Sequence, residues 1–224
     1  MKKIIALFTF CALVLSFVSC STVRVVDSWK GDNINSLQGK KILVIARTAN
    51  DQARIAFEEE ISKKIREAGL DATESFKKFP KLTPDKQLTQ EQLEMVKSII
   101  QGEGFDGVVL SVLKDVQEAT RVESDGGYYA GSSYGMYYPM YYGGFYGYYS
   151  HPMSYSSYGN YVPSTTTVRT SKTFVLETVA YNLDQPDTNQ LVAVITSKVE
   201  DPDSVYDTAE DYAKAIAKGI KDKK

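Results

Sequence analysis

The clearest indication of the fold class of this chain is the run Lys41-Ile42-Leu43-Val44-Ile45-Ala46-Arg47. It is continuously apolar between two basic residues, which is typical of a strand buried on both faces of a sheet. Asn50 or Asp51 then caps a helix that runs to about Ala68 and stops at Gly69. A buried strand followed directly by an amphipathic helix predicts a sheet with helices packed against it.

Hydrophobic spacing predicts five further strands and two further helices along the chain. The strands are predicted at about 22–29, 70–75, 105–122, 173–183 and 190–199, and the helices at 89–102 and about 204–220. The last three strands follow one another without a helix, which predicts an antiparallel meander. We therefore predict an α+β (α/β-like) single domain with a mixed β-sheet of about six strands and about three packed helices.

A long insertion of low complexity separates two strands of that meander. Residues 126–168 contain no Asp, Glu, Lys or Arg, and they hold 13 of the 16 tyrosines. The stretch shows neither the helical nor the strand period, and Val, Ile and Leu are almost absent from it, which argues against a core of its own. We predict a flexible hairpin insertion, with the domain formed by 23–125 and 169–221.

Three roles for the insertion follow from its composition. It is a long loop without selected activity, an adhesive aromatic surface, or a segment that packs back onto the domain. Tyrosine rings make large amphipathic contacts and lose little rotamer entropy when they bind. For the adhesive role, we predict the following contact residues: Tyr137, Tyr138, Tyr141, Tyr142, Phe145, Tyr146, Tyr148 and Tyr149.

The chain begins with a secretory signal. Lys2 and Lys3 precede an apolar stretch from Ile4 to Val18, which is shorter than the roughly 20 residues of a membrane span. The stretch ends in Ser19-Cys20. This end resembles the bacterial lipobox, although the preferred leucine is replaced by Phe17. The resemblance implies cleavage of residues 1–19 and acylation of Cys20, with 20–22 as a short tether to the membrane.

The chain as a whole resembles a family of uncharacterised lipoproteins from Gram-negative bacteria. The matching parts are the lipobox at Cys20, the early strand ending in Trp29, the 41–45 strand, the helix 51–69 with Arg54, Phe57 and Glu58, the 106–110 strand, the insertion before the paired strands and the final helix. The resemblance implies an α/β domain and an envelope location, with no established activity. Because Ser21 and not Asp follows the cysteine, the resemblance implies the outer membrane. No acidic residue occurs in Ser21-Thr22-Val23-Arg24, which favours the periplasmic leaflet over surface display.

Composition excludes several classes of function. Removal of Lys2 and Lys3 leaves 24 of 26 basic residues against 28 acidic ones, so the chain has no basic field to attract nucleic acid. Cys20 is the only cysteine after cleavage, which rules out a disulfide framework and a cysteine metal site. His151, the single histidine, lies in the insertion. We predict no cofactor.

No spacing of residues predicts catalysis. The run Glu58-Glu59-Glu60 supplies neighbouring carboxylates, but adjacent helical residues point in different directions, and we predict a solvated helix face. The leading hypothesis is a non-enzymatic lipoprotein that binds another envelope protein, a glycan or a second copy of itself. The alternatives are an envelope hydrolase with the insertion as a lid, and a structural lipoprotein with a role in envelope stress.

Overall fold

A computed structural model of the chain describes residues 22–79, 87–121, 128–130, 144–150, 160–162 and 169–221. The predicted lipidation site, Cys20, and most of the insertion lie outside these ranges. Eight strands are described, in this order: β1 (Val23–Lys30), β2 (Lys41–Arg47), β3 (Asp71–Glu74), β4 (Gly107–Arg121), β5 (Tyr128–Ala130), β6 (Asn160–Val162), β7 (Arg169–Asn182) and β8 (Leu191–Glu200).

Four α-helices accompany the strands in the described ranges. They are α1 (Asp51–Glu67), α2 (Gln90–Gly102), α3 (Phe145–Ser150) and α4 (Val205–Lys221). Short 3-10 turns lie at Ile34–Leu37, Ser75–Lys77 and Asp187–Asn189. The predicted α+β class and the mixed sheet of six strands are confirmed. The short helix α3, inside the insertion, was not predicted.

The large sheet has the order β1-β8-β7-β4-β2-β3. Strand β2 lies parallel to both β3 and β4, so the chain crosses over β2 between its two neighbours. Right-handed crossovers in opposite directions place their helices on opposite faces of a sheet. Accordingly, Ile61 of α1 packs into one hydrophobic core and Val96 of α2 packs into the other.

The antiparallel half of the sheet confirms the predicted meander. Strands β4 and β7 pair from Arg121 and Arg169 to Gly107 and Asn182, with one bulge, and β8 pairs with β7. The sequence did not predict the partner of the first strand. Strand β1 pairs with β8, so that Val23 lies opposite Val199 and the start of the domain is joined to its last strand.

Local signals account for the helix boundaries. The Asn50 side chain accepts a hydrogen bond from the Ala53 amide at 3.0 Å and caps α1. Gly69, with φ of 83°, adopts the left-handed conformation that ends this helix. Thr89 and Gln92 form a complete capping box at the start of α2. These signals depend on short-range geometry, which is why the sequence predicts them well.

Each face of the sheet carries two helices. We call the side covered by α1 and α4 the first face and the side covered by α2 and α3 the second face. The first-face core includes Ile61 and Tyr212, and the second-face core includes Val96 and Phe145. The insertion therefore supplies one of the two helices that bury the second face.

This packing corrects the prediction that 126–168 is a flexible insertion separate from the domain. Phe145, Tyr148 and Tyr149 are buried, with exposed fractions of 0%, 3% and 3%. Residues 144–150 therefore belong to the domain. Sequence periodicity misses α3 because a helix of six residues is too short to show a repeat. Such a helix is not stable alone, so tertiary packing must hold it.

Candidate functional site

The seat of α3 on the second face combines aromatic and charged contacts. The Phe145 ring stacks on Tyr149 with a centroid distance of 5.3 Å and meets the edge of Tyr181 at 5.9 Å. Tyr148 approaches Tyr181 at 6.4 Å. Aromatic pairs in these arrangements stabilise beyond their buried area by roughly 0.5–1.5 kcal/mol each. The insertion is thus joined to a core tyrosine of β7.

Arg47, the last residue of β2, holds the end of α3. Its Nη1 atom donates to the carbonyl oxygen of Tyr149 at 2.6 Å, and its guanidinium lies 4.7 Å from the Tyr149 ring centroid. The last carbonyls of a helix lack partners within the helix, and a cation there is favoured by the helix dipole. A residue at the end of the predicted buried strand therefore closes the helix of the insertion.

A buried ion pair between Lys114 and Glu177 holds the middle of α3. The Tyr148 hydroxyl donates to the Glu177 carboxylate, and Lys114 Nζ lies 3.5 Å from the same carboxylate. Lys114 falls in the bulge between Leu113 and Asp115, where the β4–β7 register shifts. A bulge turns the side chain of its extra residue away from the regular alternation of the strand. Here the residue in the bulge is Lys114, whose buried ammonium group lies beside Glu177.

The turn between β7 and β8 holds the start of α3. The Phe145 amide donates to Gln190 Oε1 at 2.9 Å. A Cβ atom at Gly144 would come within 2.6 Å of Asp187 Cγ, so the close approach at this position requires glycine. The helix is therefore fastened at its start by the β7–β8 turn, at its middle by β4 and β7, and at its end by β2.

Glu58 forms a separate buried network on the inner side of α1. It is 0% exposed, so the predicted solvated helix face is wrong for this residue, whereas Glu59 is exposed as predicted. Its Oε1 accepts from Arg54 Nε at 3.1 Å and from Ser75 Oγ at 2.7 Å. The amides of Ala46 and Phe76 also donate to this carboxylate, at 3.0 and 2.8 Å.

The Glu58 network joins the end of β2, helix α1 and the turn after β3. Burial raises the pKa of the Glu58 carboxyl, and the hydrogen bonds from Ala46 and Ser75 oppose that rise. This carboxylate accepts its hydrogen bonds from groups of the domain itself. The arrangement therefore explains local structure rather than chemistry on a substrate.

A cavity of about 360 Å³ lies on the first face, where β2 ends and helices α1 and α4 begin. It lies next to the point where the connections of neighbouring parallel strands change sides, which is where open α/β sheets commonly bind ligands. Its polar lining is already engaged. Ser111 Oγ lies 2.7 Å from Thr178 Oγ1, which lies 2.7 Å from the Tyr212 hydroxyl.

The Tyr212 hydroxyl stays protonated in this chain of hydrogen bonds. Burial raises its pKa to about 12, against the opposing effect of the Thr178 hydrogen bond. Neither Thr178 nor Tyr212 lines the cavity itself, and most of the residues that do are apolar. The cavity thus favours an apolar occupant over a charged one.

The structure divides the eight predicted contact residues into three groups. Phe145, Tyr148 and Tyr149 are buried in the second-face core, so the prediction that they form an exposed contact surface is wrong. Tyr146 is half-buried, with Lys97 Nζ 5.4 Å from its ring centroid. The remaining four lie outside the described residues: Tyr137, Tyr138, Tyr141 and Tyr142.

Sequence reasoning missed the charged residues that hold α3. Arg47, Lys114 and Glu177 lie in or beside strands, with exposed fractions of 3%, 7% and 5%. A charged residue within an apolar strand is the available signal, because a buried charge requires a partner. The partner itself comes from a distant part of the chain, and no spacing in the sequence identifies it.

The described residues contain no group of three or more His, Cys, Asp or Glu side chains that could hold a metal ion. Within the same part of the chain, none of the helices has the length and apolar character needed to cross a bilayer. The described architecture is a single α+β domain with a mixed six-stranded sheet between two helical layers.

Comparison with known proteins adds little to this description of the fold. No protein-family model matches the sequence, and no curated protein matches it. Among solved structures, the chain is similar to a PelC dodecamer from Paraburkholderia phytofirmans, with 10% identity, a TM-score of 0.42 and coverage of 90% of this chain and 99% of that one.

A second structure, a single-residue variant of the PelC dodecamer from Paraburkholderia phytofirmans, also has 10% identity. Its TM-score is 0.40, with coverage of 87% of this chain and 94% of that one. At this level of similarity, nothing about the activity or assembly of the present chain follows.

Proposed function

We propose that this chain is a lipid-anchored envelope lipoprotein that acts as a non-catalytic binding or assembly module. The observation that carries the proposal is the position of the first described residue. The carbonyl oxygen of Thr22 accepts a hydrogen bond from the Glu200 amide at 2.9 Å. Two residues span at most about 7 Å, so a lipid on Cys20 would hold this end of the sheet against a membrane.

The insertion leaves the domain at the same end of the sheet. Glu200 lies opposite Thr173, and the β4–β7 pairing continues from that level to Arg121 and Arg169. Four further residues of strand add about 13 Å in that direction. The proposed anchor and the root of the insertion therefore lie on one side of the domain, which is the side that would face the membrane.

The contact role in this proposal belongs to Tyr137, Tyr138, Tyr141 and Tyr142. Helix α3 follows them in the chain and is bound to the second face through Phe145. The domain thus supplies a rigid attachment for an uncharged, tyrosine-rich stretch, whose rings can stack on protein, glycan or another copy. We place the protein on the periplasmic leaflet of the outer membrane, in keeping with Ser21 after the lipidated cysteine.

Replacement of Cys20 by serine is expected to abolish lipid attachment. Cells are grown with an alkyne-bearing palmitate analogue. The original protein and the Cys11→Ser variant should both carry the analogue as a label. Cys11 is the matched control because it lies in the signal stretch that cleavage removes. The Cys20→Ser variant should carry no label. Equal labelling of the two variants, or labelling of neither the original nor the Cys11→Ser protein, would contradict the proposed anchor.

Replacement of Tyr137, Tyr138, Tyr141 and Tyr142 by serine is expected to remove partner adducts in cells while leaving the fold unchanged. The measurement is chemical crosslinking followed by mass spectrometry of membrane fractions, with thermal unfolding as a check on the fold. Tyr206→Ser is the matched control, because Tyr206 is a 58% exposed tyrosine on α4. An adduct pattern shared by the quadruple variant and the original protein would refute the contact role.

A further inference from the structure

The apolar cavity on the first face lies close to the start of the described chain. Its floor includes Leu113 and Val116 of β4 together with Phe174 and Leu176 of β7. These four side chains are only half-buried, because the sheet extends beyond the first residues of α1 and α4. The structure therefore leaves a hydrophobic recess at the end of the sheet that also carries Thr22.

The pairing of the strands relates this recess to the N-terminus. One row crosses the sheet from Val23 to Val199, Phe174 and Val116. The last three of these line the cavity, and Val23 and Val199 belong to the same first-face core. Neighbouring strands are about 4.8 Å apart, so the cavity wall begins one strand away from Val23.

The length of chain before Val23 is short enough to bring an attached lipid to the recess. Cys20 precedes Val23 by three residues, which span at most about 10 Å. An acyl chain attached to Cys20 can therefore start within reach of Val199 without any change in the domain. The cavity, at about 360 Å³, falls within the range of roughly 300–1,000 Å³ for pockets that enclose small ligands.

The chemistry of the lining also fits a hydrocarbon chain. The Ser111 hydroxyl is bonded to Thr178, and the Asn50 amide oxygen is used to cap α1. An alkyl chain needs no hydrogen bond and would remove the half-buried Phe174 and Leu176 side chains from water. A charged or strongly polar ligand would find few unused partners among these residues.

We propose that the cavity holds one acyl chain carried by Cys20 itself. This inference rests on the proposed lipid anchor. The resemblance to the bacterial lipobox implies three acyl chains on Cys20. One chain can therefore leave the bilayer for the cavity while the others remain inserted, so the anchor end of the sheet takes a defined orientation on the membrane. The occupant is the protein's own lipid because its attachment point lies within three residues of the cavity row. A chain from a neighbouring phospholipid is the competing source.

Photocrosslinking separates the two sources. Cells are grown with a long-chain fatty acid that bears a diazirine, and the membrane-bound protein is irradiated, digested and analysed by mass spectrometry. We expect the peptides containing Leu113 or Leu176 to be joined to the acylated Cys20 peptide. An adduct of the same peptides with phospholipid would overturn the assignment of the occupant. A lack of any adduct on them would overturn the use of the cavity.

A second measurement tests the cavity without the lipid anchor. The mature chain carrying Cys20→Ser is titrated with cis-parinaric acid, a long-chain fatty acid that fluoresces when bound in an apolar site. We expect the chain to bind one equivalent of the fatty acid. The Ala49→Trp variant, which obstructs the exposed rim of the cavity, should bind it with an affinity lower by a factor of about ten or more. Val26→Asn changes an exposed apolar side chain outside the cavity and should leave the affinity unchanged.

These two measurements also keep the proposal separate from the proposed function. An N-terminal peptide without acyl groups refutes the anchor, and with it the occupant, whatever the parinaric acid titration gives. An acylated Cys20 with no parinaric acid binding to the Cys20→Ser chain leaves the anchor intact and refutes the cavity as an acyl site. Equal binding by the Cys20→Ser chain with and without Ala49→Trp refutes it as well.

Discussion

Replacement of Phe145 by alanine is expected to lower the free energy of unfolding by about 3–5 kcal/mol. The ring is 0% exposed and packs against Tyr149 and Tyr181. Its loss leaves a cavity between the insertion and the sheet, and the short helix α3 cannot persist without that packing. Chemical denaturation followed by circular dichroism measures the change.

Tyr206→Ala is the control for this measurement. Tyr206 is also aromatic and helical, but it is 58% exposed, and such surface changes usually stay within about 0.5 kcal/mol. If Phe145→Ala altered stability as little as Tyr206→Ala does, α3 would not be part of the core. The expected result also means that deletion of 126–168 tests folding and binding at the same time, whereas the four-tyrosine variant separates them.

Replacement of Glu58 by alanine is expected to lower the free energy of unfolding by a similar amount, about 3–5 kcal/mol. Removal of one member of a buried ion pair leaves the other charge uncompensated. Arg54, only 6% exposed, would lose its carboxylate partner, and the Ala46 and Phe76 amides would lose their acceptor. Urea denaturation of the purified mature domain measures this change.

The neighbouring residue provides a matched control for Glu58. Glu59 belongs to the same helix and has the same side chain, but it is exposed, so Glu59→Ala should change stability by no more than about 0.5 kcal/mol. Glu58→Gln keeps the shape and one acceptor oxygen, and we expect a loss between those of the two alanine variants. Equal effects of Glu58→Ala and Glu59→Ala would argue against the buried network.

The two predictions concern residues whose surroundings the sequence did not reveal. Glu58 and Glu59 are adjacent and chemically identical, and only the packing of α1 on the sheet decides which one is buried. Phe145 lies in a stretch without helical period, next to glycine and tyrosine. In both cases the deciding contacts come from residues far away in the chain, such as Ser75 and Tyr181.

Features that depend on neighbouring residues could be predicted from the amino-acid sequence. The apolar stretch 41–47 predicted a buried strand, Gly69 and the Thr89 capping box marked helix ends, and the order of elements predicted a mixed sheet. Hydrophobic period and capping are local properties. They require no knowledge of which strand lies beside which.

Local sequence patterns could not predict the pairing of β1 with β8, the burial of α3 or the partners of Arg47 and Lys114. These contacts join parts of the chain that are distant in sequence, so their free energy depends on the complete sheet and leaves no periodic pattern. The sheet also brings the recess on the first face to within one strand of Val23. That proximity arises because the first strand pairs with the last, and it is the physical basis for placing the lipid of Cys20 at the cavity.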